Sequence, residues 1–391
     1  MTGNIVVVVI TAAVLAWIWW KADRPTAIIL TAAYLVRLLV FYADIYQLVA
    51  NPFSGEDTEN FHAAAIAFLS ENGPIKTNYT YVLAAIYRVF GSYGRFAAQF
   101  LNVLMSFGTV LLSCWALRMM EIPRKWRMIA VSVVAFMPAT VCLSGILLRE
   151  AWIAFFLMLS VCCFVRWYGR GGLWNEVACL AATFAAMLMH AGCIGAMVAY
   201  ILGFVVCRTW KTEGLRTYLA TVGVVVGFTL VMFFVPELLL AKFTAAASSG
   251  NVADVVPVVA GSTYLLWMQK LGVGVRLLLS PVRMFYLLFS PLPTDWRGLS
   301  DVVVFCVDSL VYLVLAVMMF WPPLLGKERQ LRRFISYAVL LMTFVFALGT
   351  SNAGTAVRHR AKFLPAMALV AACSKKEELC KPLTHNPLVS C

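Results

Sequence analysis

A chain of 391 residues that is 62% hydrophobic and only 13% charged cannot clothe a water-facing surface, for which soluble domains use about a quarter charged residues. The formal net charge of +13 invites a nucleic-acid reading, but its placement excludes one. Loops assigned to the cytoplasmic side hold 18 Lys and Arg against 7 Asp and Glu, and the rest of the chain holds 13 against 11, which is the positive-inside bias of a membrane protein.

At about 20 apolar residues per span, the length predicts an all-α, polytopic integral membrane protein of 11–13 transmembrane helices. They form a single transmembrane domain over 1–391. The run 4–20 has no basic leader and ends in Trp17, Trp19, Trp20 and Lys21, so it is expected to be a retained span rather than a signal peptide. A second span, 25–42, carries Arg37. The polar stretch 43–95 follows as an external loop, with amphipathic helices expected over 61–69 and 79–90. Spans over 96–120, 128–148, 151–167, 173–189 and 193–206 come next, the last two broken at His190. A span over 218–235 leads to a second external segment, 237–275. The stretch 276–292, interrupted by Arg276, Pro281 and Arg283, fits a broken span or an in-plane helix. Spans 301–321, 334–349 and 362–373 close the chain. Nine of the eleven cysteines lie inside apolar runs and none has CxxC or Cys/His spacing, so no disulfide and no zinc site is expected.

Ionisable groups near one membrane face are where function is sought, because intramembrane charge is costly. Three clusters fall on the predicted outer side. Glu56, Asp57, Glu59 and His62 fit a general base or a divalent-cation site, or a solvated acidic loop in which Asp57 caps a helix. Arg149-Glu150 opens a span, as an interfacial cap or as the mouth of a cavity. Arg358-His359-Arg360 with Lys362 places cations where they are normally depleted, suited to a lipid phosphate or to snorkelling at the headgroups.

The segment Asp57 to Ala65 resembles the Asp-x-x-x-Tyr-His-x-x-Ala pattern in the first external loop of bacterial GT-C superfamily membrane glycosyltransferases, relatives of the protein mannosyltransferases and aminoarabinose transferases. The stretch 79–91, the acid at Glu150 and the Arg358-x-Arg360 element with Pro365 resemble later parts of the same pattern. The resemblance implies Asp57 and Glu150 as catalytic carboxylates and Arg358, Arg360, Lys362 and Arg149 as donor-phosphate ligands. Glu59, His62, His359 and Tyr79 would support them. It further implies a polyprenyl-phosphate or -pyrophosphate sugar donor and a glycan or glycolipid acceptor, with the site facing the periplasm from the bacterial inner membrane. A repeat-unit polymerase of O-antigen or exopolysaccharide, and a flippase or transporter of lipid-linked sugars, are the competing expectations.

Overall fold

The computed structural model describes residues 2–71, 77–209, 262–269, 271, 273–320 and 329–379. The expected span 218–235 and residues 237–261 of the external segment 237–275 lie outside the described residues, as does the Arg276 side chain. Lipid offers no partner for backbone N–H and C=O groups, so apolar stretches close their hydrogen bonds within helices. The N-terminal part comprises α1 (Thr2–Lys21), α2 (Arg24–Ile45), α3 (Glu56–Glu71), α4 (Asn78–Phe90) and α5 (Gly94–Met119). The middle comprises α6 (Arg124–Phe136), α7 (Pro138–Cys142), α8 (Glu150–Arg170), α9 (Leu173–Met189) and α10 (Ile194–Thr209). The described C-terminal part comprises α11 (Leu266–Gln269), α12 (Val273–Leu278), α13 (Ser280–Phe289), α14 (Leu299–Phe320), α15 (Arg329–Gly349), α16 (Ala353–Ala361) and α17 (Leu364–Leu379).

Six of these stretches are long and apolar enough to cross a membrane, and Leu173–Met189, Ala191–Cys207 and Leu364–Ser374 are shorter apolar helices. Among the described residues the only strand-like pairing is one antiparallel bridge, Thr263–Asn352, so the chain is an all-α polytopic membrane protein. Helix α1 is peripheral: Ile5, Val8 and Trp20 are exposed, as a lipid-facing helix requires. The opposite case is 363–373, where every side chain is buried against α5, α6, α8, α14 and α15. A helix apolar all round belongs inside a bundle.

The expected span 128–148 is not one helix. Helix α6 stops at Phe136 and Pro138 opens the short α7, because Pro138 has no N–H to give Val134 and its ring obstructs the preceding turn. The loosened carbonyls are taken by Arg37, whose Nη1 donates to Ala135 O at 2.8 Å and whose Nη2 donates to Val134 O at 3.4 Å. Its Nε donates to Ser106 at 2.9 Å. The mid-span charge of α2 therefore repairs a broken neighbour. Residues 143–149 then run without regular helix. Their carbonyls are met by α5: Asn102 Nδ2 donates to Ile146 O at 2.6 Å and Leu148 O at 2.9 Å, and Gln99 donates to Gly145 O at 3.2 Å. Gly145 allows this path, since a Cβ there would lie 2.5 Å from the Phe41 backbone nitrogen.

The other differences are smaller. The ambiguous stretch 276–292 resolves into α12 and α13, a broken element. Helix α14 contains a π turn, Phe305–Ser309, that carries the mid-span acid Asp308.

Candidate active site

Three elements from distant parts of the chain meet at one end of the bundle: the first turn of α3, the first residue of α8, and α16. One of the alternative readings of the acidic cluster has Asp57 capping a helix that opens at Thr58. Instead the helix begins at Glu56, Thr58 Oγ1 bonds with the Gly55 backbone at 2.7 and 3.2 Å, and the Asp57 carboxylate is free to turn outward. It accepts a hydrogen bond from Arg358 Nη1, 301 residues along the chain. Arg358 Nη2 donates to Glu150 Oε1 at 3.1 Å. The Lys362 ammonium lies 3.7 Å from the same oxygen and shares a 2.8 Å hydrogen bond with His359 Nδ1.

Burial is graded across this cluster. The Asp57 side chain is 59% exposed and Arg358 17%, whereas Glu150 is 3% and Lys362 1%. Glu150 suits the N-terminus of α8, whose dipole favours a carboxylate, and its Oε2 is buried without a hydrogen-bond partner. Burial pulls the Lys362 pKa from 10.5 down to about 8, opposed by the charge of Glu150. For Arg358 burial also works against the charge, but Glu150 and Asp57 outweigh it and hold the pKa above its ordinary value. Inward from Glu150 and Lys362 a small pocket reaches Arg37, Ser106 and Thr140.

The remaining predicted residues divide. Arg149, its pKa lowered by burial, sits beside the cluster: Nη1 donates to Met189 O at 3.0 Å and the guanidinium lies 5.8 Å from the Phe61 ring centroid. His359 packs in an aromatic group, 5.1 Å from His190 and 4.6 Å from Phe346. Tyr79 is fully buried beneath Phe61 and next to Asn102, behind the cluster rather than in it. Glu59 faces away from Asp57 and forms a bidentate pair with Arg95 at 2.6 and 3.0 Å, which lowers its pKa through that hydrogen bond. His62, its pKa lowered by burial, bonds Tyr87 at 2.7 Å and opens onto a separate surface pocket with Arg95.

Two expectations are corrected. Glu56, Asp57 and Glu59 do not converge as a cation site, and among the described residues no three His, Cys, Asp or Glu do. Asp57 and Glu59 are two apart on a helix, where side chains do not face one another, and each carboxylate is committed to a different arginine. Arg360 does not face the cluster. It is fully buried, and all five of its N–H groups are engaged, by Asp308, Leu288 O, Ser290 O and Ser309, so none is left for a donor phosphate.

Asn102, Gln99 and Asp308 were not singled out from the sequence. The available signals were a polar i,i+3 pair in the apolar run of α5 and an acid in the middle of α14.

The family model described as dolichyl-phosphate-mannose-protein mannosyltransferase matches residues 53–249, half of the chain, a stretch that includes Asp57 and Glu150. No curated protein matches the chain. The fold is similar to that of the archaeal oligosaccharyltransferase AglB from Archaeoglobus fulgidus, solved in complex with an inhibitory peptide and a dolichol-phosphate. The TM-score is 0.54 at 13% identity, over 90% of this chain and 50% of that one. The chain thus spans about half the length of that oligosaccharyltransferase, and the likeness is one of fold.

Proposed function

Since the chain belongs to the dolichyl-phosphate-mannose-protein mannosyltransferase family and is a membrane glycosyltransferase of GT-C type, we propose that it transfers a sugar from a polyprenyl-phosphate-linked donor, with Asp57 as the base and Arg358 and Lys362 as the phosphate ligands. The observation that supports this best is the contact of Asp57, Arg358 and Glu150 across 301 and 208 residues of chain. A base and a cation are the two groups that glycosyl transfer to a hydroxyl requires. The acceptor oxygen bonds to the anomeric carbon as the bond from that carbon to the donor's phosphate oxygen breaks. Asp57 takes the hydroxyl proton, and the lipid phosphate leaves as an anion held by Arg358 and Lys362.

Arg358 spends one side of its fork on Asp57 and the other on Glu150. A phosphate offers the fork a bidentate partner, and taking it frees Asp57 for the acceptor. Glu150 keeps Arg358 and Lys362 charged and aimed. Arg149 stands close enough to add a third cation.

The proposal puts the site on the periplasmic face of the bacterial cytoplasmic membrane, in cell-surface glycan or glycoconjugate assembly with a glycan or glycolipid acceptor. The placement is supported by charge. At the other end of α5 lie Arg118 and, beyond it, Arg124, both paired with Asp23, and this basic end suits the cytoplasm.

Asp57→Asn tests the reading. It is expected to lower transfer from a short-chain polyprenyl-phosphate sugar by about 10²–10⁴-fold, the usual contribution of a general base, with the thermal midpoint in detergent unchanged. Transfer at the wild-type rate would sink the assignment.

A further inference from the structure

The Asp308–Arg360 pair is unused by the chemistry above, and its construction is unusual for a simple stabilising contact. Both side chains are buried, 4% and 0% exposed, and desolvating two charges offsets most of what their attraction gains. What the pair supplies is geometry. Arg360 Nε donates to Asp308 Oδ2 at 2.7 Å, Nη1 to Leu288 O at 3.0 Å and to Ser290 O, and Nη2 to Ser309 Oγ at 3.1 Å. One planar fork thus ties α16 to the π turn of α14 and to the end of α13, with the guanidinium 5.1 Å from the Tyr312 ring. The π turn, a feature frequent at functional sites, is where Asp308 enters the bundle.

Arg360 lies two residues beyond Arg358, so the two side chains leave α16 on different faces. One arginine is locked into the bundle while the other reaches Glu150 and Asp57. We infer that Asp308 and Arg360 are a positioning pair that fixes the rotation and height of α16, and thereby the place of Arg358 and Lys362 on the donor phosphate. Neither touches the substrate. Slippage of α16 by about 1 Å is enough to cost about 100-fold in a positioned reaction.

This inference rests on the phosphate role proposed for Arg358, and the test separates the two. The measurement is the affinity of purified protein for a short-chain polyprenyl phosphate, alongside its thermal midpoint. Asp308→Leu with Arg360→Met replaces the ion pair by apolar side chains of similar bulk, a change that buried pairs often tolerate without loss of stability. The double variant is expected to melt like the wild type and to bind at least about tenfold more weakly. In an Arg358→Lys background, whose own affinity is reduced, it is expected to add clearly less than its full loss, because part of its effect passes through Arg358 and only the part through Lys362 is left. Wild-type affinity in the folded double variant overturns the inference, and so does a loss that multiplies in full with that of Arg358→Lys. Should the double variant fail to fold, Arg360→Lys, which keeps the charge opposite Asp308 but loses the fork, is carried through the same cycle. Undiminished affinity in Arg358→Lys alone defeats the phosphate role, and the positioning role with it.

Discussion

Raising the pH through about 8 is expected to weaken donor binding, because Lys362 then loses its charge. Burial pulls its pKa from 10.5 to about 8, against the opposing pull of Glu150. A hydrogen bond to a charged group contributes about 1.5–3 kcal/mol, and each 1.4 kcal/mol is tenfold in affinity. Deprotonation should therefore cost about ten- to a hundredfold in kcat/KM for the donor. The sign is set by which form binds: the ammonium is present below pH 8, so kcat/KM is level there and falls above it. Bound phosphate stabilises the ammonium, so the break in kcat, which reports the complex, lies at higher pH than the break in kcat/KM, which reports the free enzyme. Stability moves the other way. The unfolded chain keeps this proton to 10.5 and the folded one releases it near 8, so this group makes the fold more stable as pH rises between those values. Falling activity with rising stability separates the effect from alkaline unfolding. Initial rates of sugar transfer, measured from about pH 6.5 to about 9.5, and thermal midpoints on the same samples make the test. Lys362→Arg should carry the break beyond that range. A level kcat/KM profile, or a break that persists in Lys362→Arg, refutes the reasoning.

Two further outcomes follow from the broken helix beside the site. Arg37→Leu leaves the Ala135 carbonyl without its donor and the Val134 carbonyl with only the 3.5 Å bond from Thr140 Oγ1, and at about 1–3 kcal/mol for an orphaned buried group the loss of stability should be about 1–3 kcal/mol, measured as a lower thermal midpoint; an unchanged midpoint would mean that water satisfies these carbonyls. Asn102→Leu removes the donor to Ile146 O and Leu148 O and the acceptor of the 2.7 Å bond from Trp152 Nε1. With three groups deprived of Asn102 it should cost at least about 3 kcal/mol by the same reckoning and raise the donor KM by displacing Arg149 and Glu150, and a variant with wild-type KM would show that residues 143–149 hold their path without it.

Hydropathy made the bundle legible because span length and apolar content are direct demands of lipid. It failed at 128–148, where one proline in an apolar run divides what composition reads as continuous. The π turn in α14 is likewise silent in the sequence. For the site, charge on the predicted outer side picked out Asp57, Glu150 and Arg358, which the fold brings into contact. The Arg358-x-Arg360 element misled because it was treated as a knot of charge. In a helix, positions two apart diverge while positions four apart share a face, so Lys362 rather than Arg360 accompanies Arg358. The same geometry separates Asp57 from Glu59. Asp308 escaped notice because a mid-span acid has no visible partner until α16 is folded against it.

The irregular backbone and the site are linked by more than proximity. A continuous helix through 143–149 would carry Arg149 and Glu150 on a rod, with no helix N-terminus at Glu150 to favour its carboxylate. Breaking the chain at Pro138 creates that terminus, and lipid would make the break prohibitive were its carbonyls not claimed by Arg37, Gln99 and Asn102. Each of these donors comes from α2 or α5, the helices that flank the break. The polar residues inside the bundle are therefore what allows an anion to be held at the start of α8, and that anion in turn is what allows Arg358 and Lys362 to be held beside it as buried cations.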